Sequence, residues 1–215
     1  YESVVPFTGM RALSLETDPV RASCPFDAKR NGFVCAGGGA VLVLESEEEA
    51  MRRGSTPYVE LLGWGQSSDG HNVAISHPEG LGLIRAIDKA CESTGVDAGE
   101  IDYINAHATS TLIGDASEGK ALDVVFNSKG YSPKISSTKA ITGHGLSLAS
   151  ALEASIISIA MKEGFTPGSA HIQNLDSQFE AFNIIRKTEL VAPQVALSNS
   201  SGFGGANVSL LFKRV

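Results

Sequence analysis

Cysteine is scarce in this chain, and the three present, Cys24, Cys35 and Cys91, stand far apart without a CxxC pair. An odd, dispersed set argues against a disulfide framework and against a cysteine-held metal, and points to a reducing compartment, the cytoplasm first. No apolar run reaches the length of a membrane span, and no signal-peptide pattern is visible. Positive charge is also short: 17 Lys and Arg against 24 Asp and Glu leave a net charge of −7, which argues against general nucleic-acid binding because that needs a basic face. The local basic pairs Arg52-Arg53 and Arg186-Lys187 read as solvated surface. There is no internal repeat, linker or low-complexity segment, and neither glycine-rich stretch has dinucleotide or phosphate-loop spacing. No cysteine or serine stands in a recognisable nucleophile motif.

What is there is a globular composition, 42% hydrophobic and 19% charged, sufficient for a substantial core in one domain. The opening Tyr1-Glu-Ser-Val-Val-Pro-Phe-Thr-Gly-Met10 has no initiator methionine and reads as the middle of an element. Gly32-Phe-Val-Cys-Ala and Ala40-Val-Leu-Val-Leu-Glu45 are expected as strands around a Gly37-Gly-Gly39 corner, with a short charged helix from Glu47 to Arg53 and a strand over Tyr58-Val-Glu-Leu-Leu-Gly-Trp64. Pro78-Glu79 opens a helix whose apolar stripe is Leu83, Ile84, Ile87, Ala90 and Cys91, closed by Gly95. Ile101-Asp-Tyr-Ile104 is a short buried strand, and Asp115-Ala-Ser-Glu118 has the spacing of a capping box opening a helix to Phe126. A strand at Lys134-Ile-Ser precedes a helix over Ser147–Lys162 with Leu148, Leu152, Ile156 and Ile159 on one face. A hairpin closes the chain, Val195-Ala-Leu-Ser returning as Asn207-Val-Ser-Leu-Leu-Phe-Lys213. The order predicts an α/β fold with a mostly parallel or mixed sheet covered by helices.

In such folds reacting groups gather beyond strand ends, and both informative histidines fall there. His107 lies in Asn105-Ala-His-Ala-Thr109-Ser-Thr111, which sets an imidazole and two hydroxyls at one mouth; the same residues would equally make a plain hydrogen-bonded turn. His144 lies in Lys139-Ala-Ile-Thr-Gly-His-Gly, a few residues before a buried helix whose positive end favours a neutral ring. Two neutral N–H donors aimed at one oxygen would stabilise an enolate. Lys139 reads as their support, with Glu118 its expected partner, while Asp115 and Glu118 are fully explained as a cap. Gly202-Phe203-Gly204-Gly205 is either a hairpin turn or a backbone N–H offered to an oxyanion with Phe203 as a wall.

These segments together resemble the β-ketoacyl-acyl carrier protein synthases, the condensing enzymes of the thiolase-like fold. The match runs in order through Pro25-Phe-Asp27, Gly32-Phe-Val, Gly37-Gly-Gly39, Val41-Leu-Val-Leu-Glu45, Asn105-Ala-His107, Lys139 with His144, and Gly202–Gly205. It covers the whole chain but only the C-terminal half of the family's length. The implied fold is the C-terminal half of a layered α/β/α/β/α arrangement. Residues 1–55 correspond to the end of the N-terminal half and the crossover, and 56–215 to the C-terminal half.

The resemblance implies decarboxylative condensation of malonyl-acyl carrier protein with an acyl thioester held on a cysteine upstream of Tyr1. His107 and His144 match the histidines that support decarboxylation, Lys139 the supporting lysine, and the Phe203 N–H half of the oxyanion hole. Thr109, Thr111, Phe203 and Gly204 match substrate-contacting positions, with Asp115 and Glu118 in support. No metal or resident cofactor is implied, since substrates ride on phosphopantetheine. The implied partners are an N-terminal half or complementary subunit, acyl carrier protein and a homo- or heterodimer mate, not nucleic acid or membrane. The alternative is a non-catalytic thiolase-fold scaffold of chain-length-factor type. Ala108, Ser201 and Gly145-Leu-Ser-Leu depart from the family's usual glycine, phenylalanine and small-residue run.

Overall fold

The computed structural model describes residues 4–215. Of the opening segment, Val5–Gly9 forms a short helix, α1, while Tyr1 to Ser3 lie outside the described residues. A one-turn helix α2 (Pro19–Ala22) starts where the Asp18 carboxylate accepts the Val20 N–H. Helix α3 (Glu47–Arg52) is capped by Ser46, whose hydroxyl accepts the Glu49 N–H.

The rest is one mixed sheet and its helices: β1 (Glu60–Ser68), α4 (Leu81–Thr94), β2 (Tyr103–Asn105), α5 (Leu112–Val125), β3 (Lys134–Ser136), α6 (Lys139–Thr142), α7 (Ala149–Glu163), β4 (Val195–Gly202) and β5 (Ala206–Lys213). The strand order is β1-β5-β4-β2-β3. β2 runs parallel to β3 and β4, and β5 runs antiparallel to β4 and β1. The register sets Ile104 beside Ile135 and Leu197, and Asn105 beside Ser136 and Ser198.

Alternation along β2 divides the core into two layers. Ile104 faces Ile87, Leu122, Ile135, Leu197 and Leu211 on the side covered by α4 and α5. Tyr103 faces Ala154, Ile157, Met161 and Phe212 on the side of α7. α4 lies against β1 so closely that a Cβ on Gly65 would stand 1.9 Å from the Ala86 carbonyl oxygen. The expected stripe of α4 holds: Leu83, Ile87 and Ala90 are buried and Gly95, at φ 71°, closes the helix.

Four expectations are corrected. Residues 32–36 and 40–45 form no strand: Phe33 and Cys35 make only isolated bridges, to Leu13 and His144. Val41 and Val43 are 89% and 85% exposed, and the 40–45 backbone takes no hydrogen bond from the described residues, which provide no neighbouring strand for this β-rich sequence. Helix α4 begins after Gly80 in the left-handed conformation rather than at Pro78. Helix α5 begins at Leu112, capped by the Thr111 hydroxyl accepting the Gly114 N–H, so Asp115 and Glu118 sit inside it and are not its capping box. In α7 the buried face is Glu153, Ala154, Ile157 and Met161, and Ile159 is exposed. That helix is apolar on most sides, so spacing alone did not select the face it turns inward.

Candidate active site

His107 leaves the end of β2 and His144 leaves the end of α6, and the two rings meet edge to face with centroids 5.2 Å apart and planes at 83°. The backbone around His107 is fixed from α5. The Glu118 carboxylate accepts the His107 N–H at 3.0 Å on one oxygen and the Ala108 N–H at 2.7 Å on the other, with the Asn199 amide donating at 3.2 Å. Sequence reading paired Glu118 with Lys139; the carboxylate instead spends its acceptors on two amides that no strand satisfies. Burial pushes the Glu118 carboxyl upward against those three hydrogen bonds.

His144 is fixed from residues 33–36. Its N–H donates to the Val34 carbonyl at 2.8 Å and its own carbonyl accepts the Ala36 N–H at 3.0 Å, while Phe33 meets its ring edge on at 5.1 Å. Gly143 allows this approach: its φ is 68°, and a Cβ there would lie 3.0 Å from the Val34 oxygen. Both imidazoles are held neutral. Burial first, then the Lys139 cation, lowers His144 to about 4, and burial, Lys139 and His144 in that order drive His107 well below its ordinary value. Burial and a cation thus do the work that the sequence reading gave to a helix end; α7 starts only at Ala149. Nδ1 of each ring is enclosed and without a partner among the described residues.

Lys139 is buried, and its ammonium pairs with Glu153 on α7. Glu153 escaped the sequence reading, although a lone carboxylate inside an apolar helix was the available signal. Phe33 and Phe7 were missed too. Phe7 of α1 stacks on Phe203 at 5.6 Å and meets Phe33 at 5.5 Å, so a file of rings runs from Phe203 through Phe7 and Phe33 to His144 and His107.

Phe203 is half exposed at the tip of the β4–β5 hairpin, and its N–H makes no backbone hydrogen bond among the described residues. The Gly204 N–H, by contrast, donates to the Val73 carbonyl at 2.7 Å. Ser201 donates to the Asn207 side-chain oxygen at 2.7 Å, and Asn207 in turn donates to Asp69 at 2.8 Å, tying the hairpin to the loop after β1. Thr109 and Thr111 place their hydroxyls 3.0 Å apart across Ser110. Asp115, expected as a cap, is fully buried and accepts the Ser110 and Phe26 N–H groups, both at 3.1 Å.

Cys24 and Cys91 do not resemble nucleophiles. Burial raises Cys24, and burial with the nearby carboxylates raises Cys91 to about 11, the reverse of an activated thiol. Among the described residues, no three His, Cys, Asp or Glu side chains converge as a metal site, and no helix is long and apolar enough to cross a membrane. What the arrangement offers chemically is two neutral rings beside a buried cation, with a file of phenylalanines leading from the hairpin to His144.

Residues 58–173 match the family described as beta-ketoacyl synthase, C-terminal domain. The chain is 42% identical over 218 residues to the mitochondrial 3-oxoacyl-[acyl-carrier-protein] synthase of Arabidopsis thaliana, an alignment covering 99% of this chain and 47% of that protein. A β-ketoacyl synthase from Burkholderia phymatum superposes with a TM-score of 0.91 at 35% identity, covering all of this chain and 52% of that one. A type II PKS acyl-carrier protein in complex with its ketosynthase gives a TM-score of 0.94 at 29% identity, over 100% of this chain and 53% of that one. The chain therefore spans about half the length of the relatives it matches, and over that half the sheet, the paired histidines and the phenylalanine hairpin lead to one conclusion: it belongs to the β-ketoacyl synthase family.

Proposed function

We propose that the chain is the histidine-bearing half of a 3-oxoacyl-acyl carrier protein synthase, condensing malonyl-acyl carrier protein with an acyl group on a cysteine that another polypeptide segment supplies. The single observation that carries this reading is the pair of neutral imidazoles, His107 and His144, edge to face beside the buried Lys139 cation.

The malonyl thioester arm lies along Thr109 and Thr111. Its bond from the central carbon to the carboxylate breaks, carbon dioxide leaves, and the electron pair moves onto the thioester as an enolate. Two ring N–H donors on the enolate oxygen stabilise that charge where water is excluded. As the carbonyl re-forms, the central carbon attacks the acyl group, the acyl–sulfur bond breaks and the thiolate is returned. The free N–H of Phe203 is half of the hole for the acyl oxygen during that attack.

Delivery by acyl carrier protein is supported by the structural neighbour captured with its carrier. Substrates held on phosphopantetheine require no resident cofactor, and the working unit is a dimer or heterodimer completed by the cysteine-bearing half. The test is malonyl-carrier decarboxylation by the chain together with that half. His107→Ala is expected to lower the rate about 100-fold or more, whereas an unchanged rate would favour the non-catalytic scaffold.

A further inference from the structure

We infer that Arg30 is a positioning residue for the thioester arm: it secures the left-handed turn at Ser110 that sets the spacing of the Thr109 and Thr111 hydroxyls. The inference rests on the reading above that those hydroxyls meet the phosphopantetheine arm.

Ser110 has φ 71° and Phe26 has φ 67°, a conformation that L side chains adopt only at a cost, most of all a bulky one. Both residues are buried, and both are held by one carboxylate. Asp115 accepts the Ser110 N–H on one oxygen and the Phe26 N–H on the other. The Ser110 hydroxyl also accepts the Cys24 N–H at 3.1 Å, and the Ser110 carbonyl accepts the Gly32 N–H at 2.8 Å. The turn between the threonines is therefore built from the crossover segment as much as from its own neighbours.

Asp115 has two amide donors, one on each oxygen, and only the ionised carboxylate accepts both without competition. A protonated carboxyl would present an O–H where one of those amides points. Burial pushes the group up to about 7, Glu118 adds to the rise, and the Arg30 guanidinium is the strongest pull in the other direction. The Arg30 Nε stands 3.5 Å from Asp115 with its side chain 1% exposed. The same guanidinium donates to the Thr111 carbonyl at 3.4 Å, the Leu112 carbonyl at 3.3 Å, the Asp27 carbonyl at 3.0 Å and the Asp176 carboxylate at 2.6 Å, and lies 5.2 Å from the Phe179 ring centroid. Its fork thus fixes the cap residue of α5, the first carbonyl of that helix, and the acid that holds the turn. A lysine there would supply the charge without the planar fork.

Two readouts test this on the chain paired with its cysteine-bearing half. In Arg30→Lys, the KM for malonyl carrier is expected to rise about fivefold with kcat changed less than about twofold, the size of one lost hydrogen-bonding group. Adding Arg30→Lys to the Thr109→Val/Thr111→Val pair should raise KM no further, since the arginine acts through those hydroxyls. A fully additive rise, or a fall in kcat at constant KM, overturns the inference. The second readout needs no activity: the Ser110 amide should exchange its hydrogen about tenfold faster in Arg30→Lys, while amides of β4 keep their rates. An unchanged Ser110 rate overturns the inference even where the wild type proves inactive, an outcome that would sink the functional reading instead.

Discussion

Lys139 and Glu153 form an ion pair in the interior, with side chains 1% and 2% exposed. The pair joins the segment carrying His144 to α7. Burial, opposed by Lys139, raises the Glu153 carboxyl to about 7. Removing the cation in Lys139→Met leaves that carboxylate uncompensated, and a loss of about 3 kcal/mol is expected. A carboxyl whose folded pKa lies above its unfolded one binds its proton more readily when folded, so stability falls as pH rises through that window. Urea unfolding of Lys139→Met should therefore show a larger deficit at pH 8 than at pH 6, and Lys139→Met/Glu153→Leu should recover most of it. Equal deficits at the two pH values would contradict the placement of the charge.

His144 gives the opposite sign. Its folded pKa, about 4, lies below the unfolded value of 6.5. The unfolded chain therefore binds the extra proton first as pH falls, and the wild type loses stability from about pH 6.5 down to about pH 4. His144→Gln lacks this titration. Its stability relative to wild type should improve by up to about 3 kcal/mol across that interval, read as the difference between two unfolding-versus-pH curves. A constant difference would show that the ring is not buried as a neutral group.

Phe7 and Phe203 come from opposite ends of the chain and stack at 5.6 Å. An aromatic pair contributes about 0.5–1.5 kcal/mol beyond its area. Phe7→Ala should loosen the hairpin tip, and the Gly204 amide, which donates to Val73, should exchange several times faster by about that measure. No change at Gly204 would mean that the hairpin is held by its tie to the loop after β1 alone.

Gly65 and Gly37 make a matched pair for stability. A methyl at Gly65 would collide with the Ala86 oxygen at 1.9 Å and the Ala90 nitrogen at 2.5 Å, whereas one at Gly37 would meet nothing within 4 Å. Gly65→Ala is expected to cost about 3 kcal/mol or more by forcing α4 off β1. Gly37→Ala should stay within about 0.5 kcal/mol. Thermal unfolding of the two variants distinguishes them, and a tolerated Gly65→Ala would disprove the close helix–strand approach.

Much of this molecule was legible in its residues because the signals were local. Aliphatic runs and the adjoining glycines located β1, β4 and β5, and the stripe ending at Gly95 located α4 and its inward face. The two histidines stood out from their small-residue surroundings, and the structure sets them ring against ring. The failures at the site depended on something distant. Asp115 and Glu118 mimic a cap in sequence, yet their true work is to receive amides from the loop after β2 and from the crossover. Glu153 is inward because Lys139 is there to meet it, and no pattern within α7 encodes that. Phe7 and Arg30 act on residues far along the chain, so only the assembled fold reveals what they touch.

The stretch from Ala40 to Glu45 has valines bared to water and main-chain donors and acceptors that no described residue claims. Such a ribbon is a ready template for any strand that arrives, including its own copy from a neighbouring molecule. Produced alone, this polypeptide should cluster as its concentration rises, and Val41→Lys with Val43→Lys should keep it dispersed. On that outcome, six residues outside the histidine pair would set the solubility of the chain.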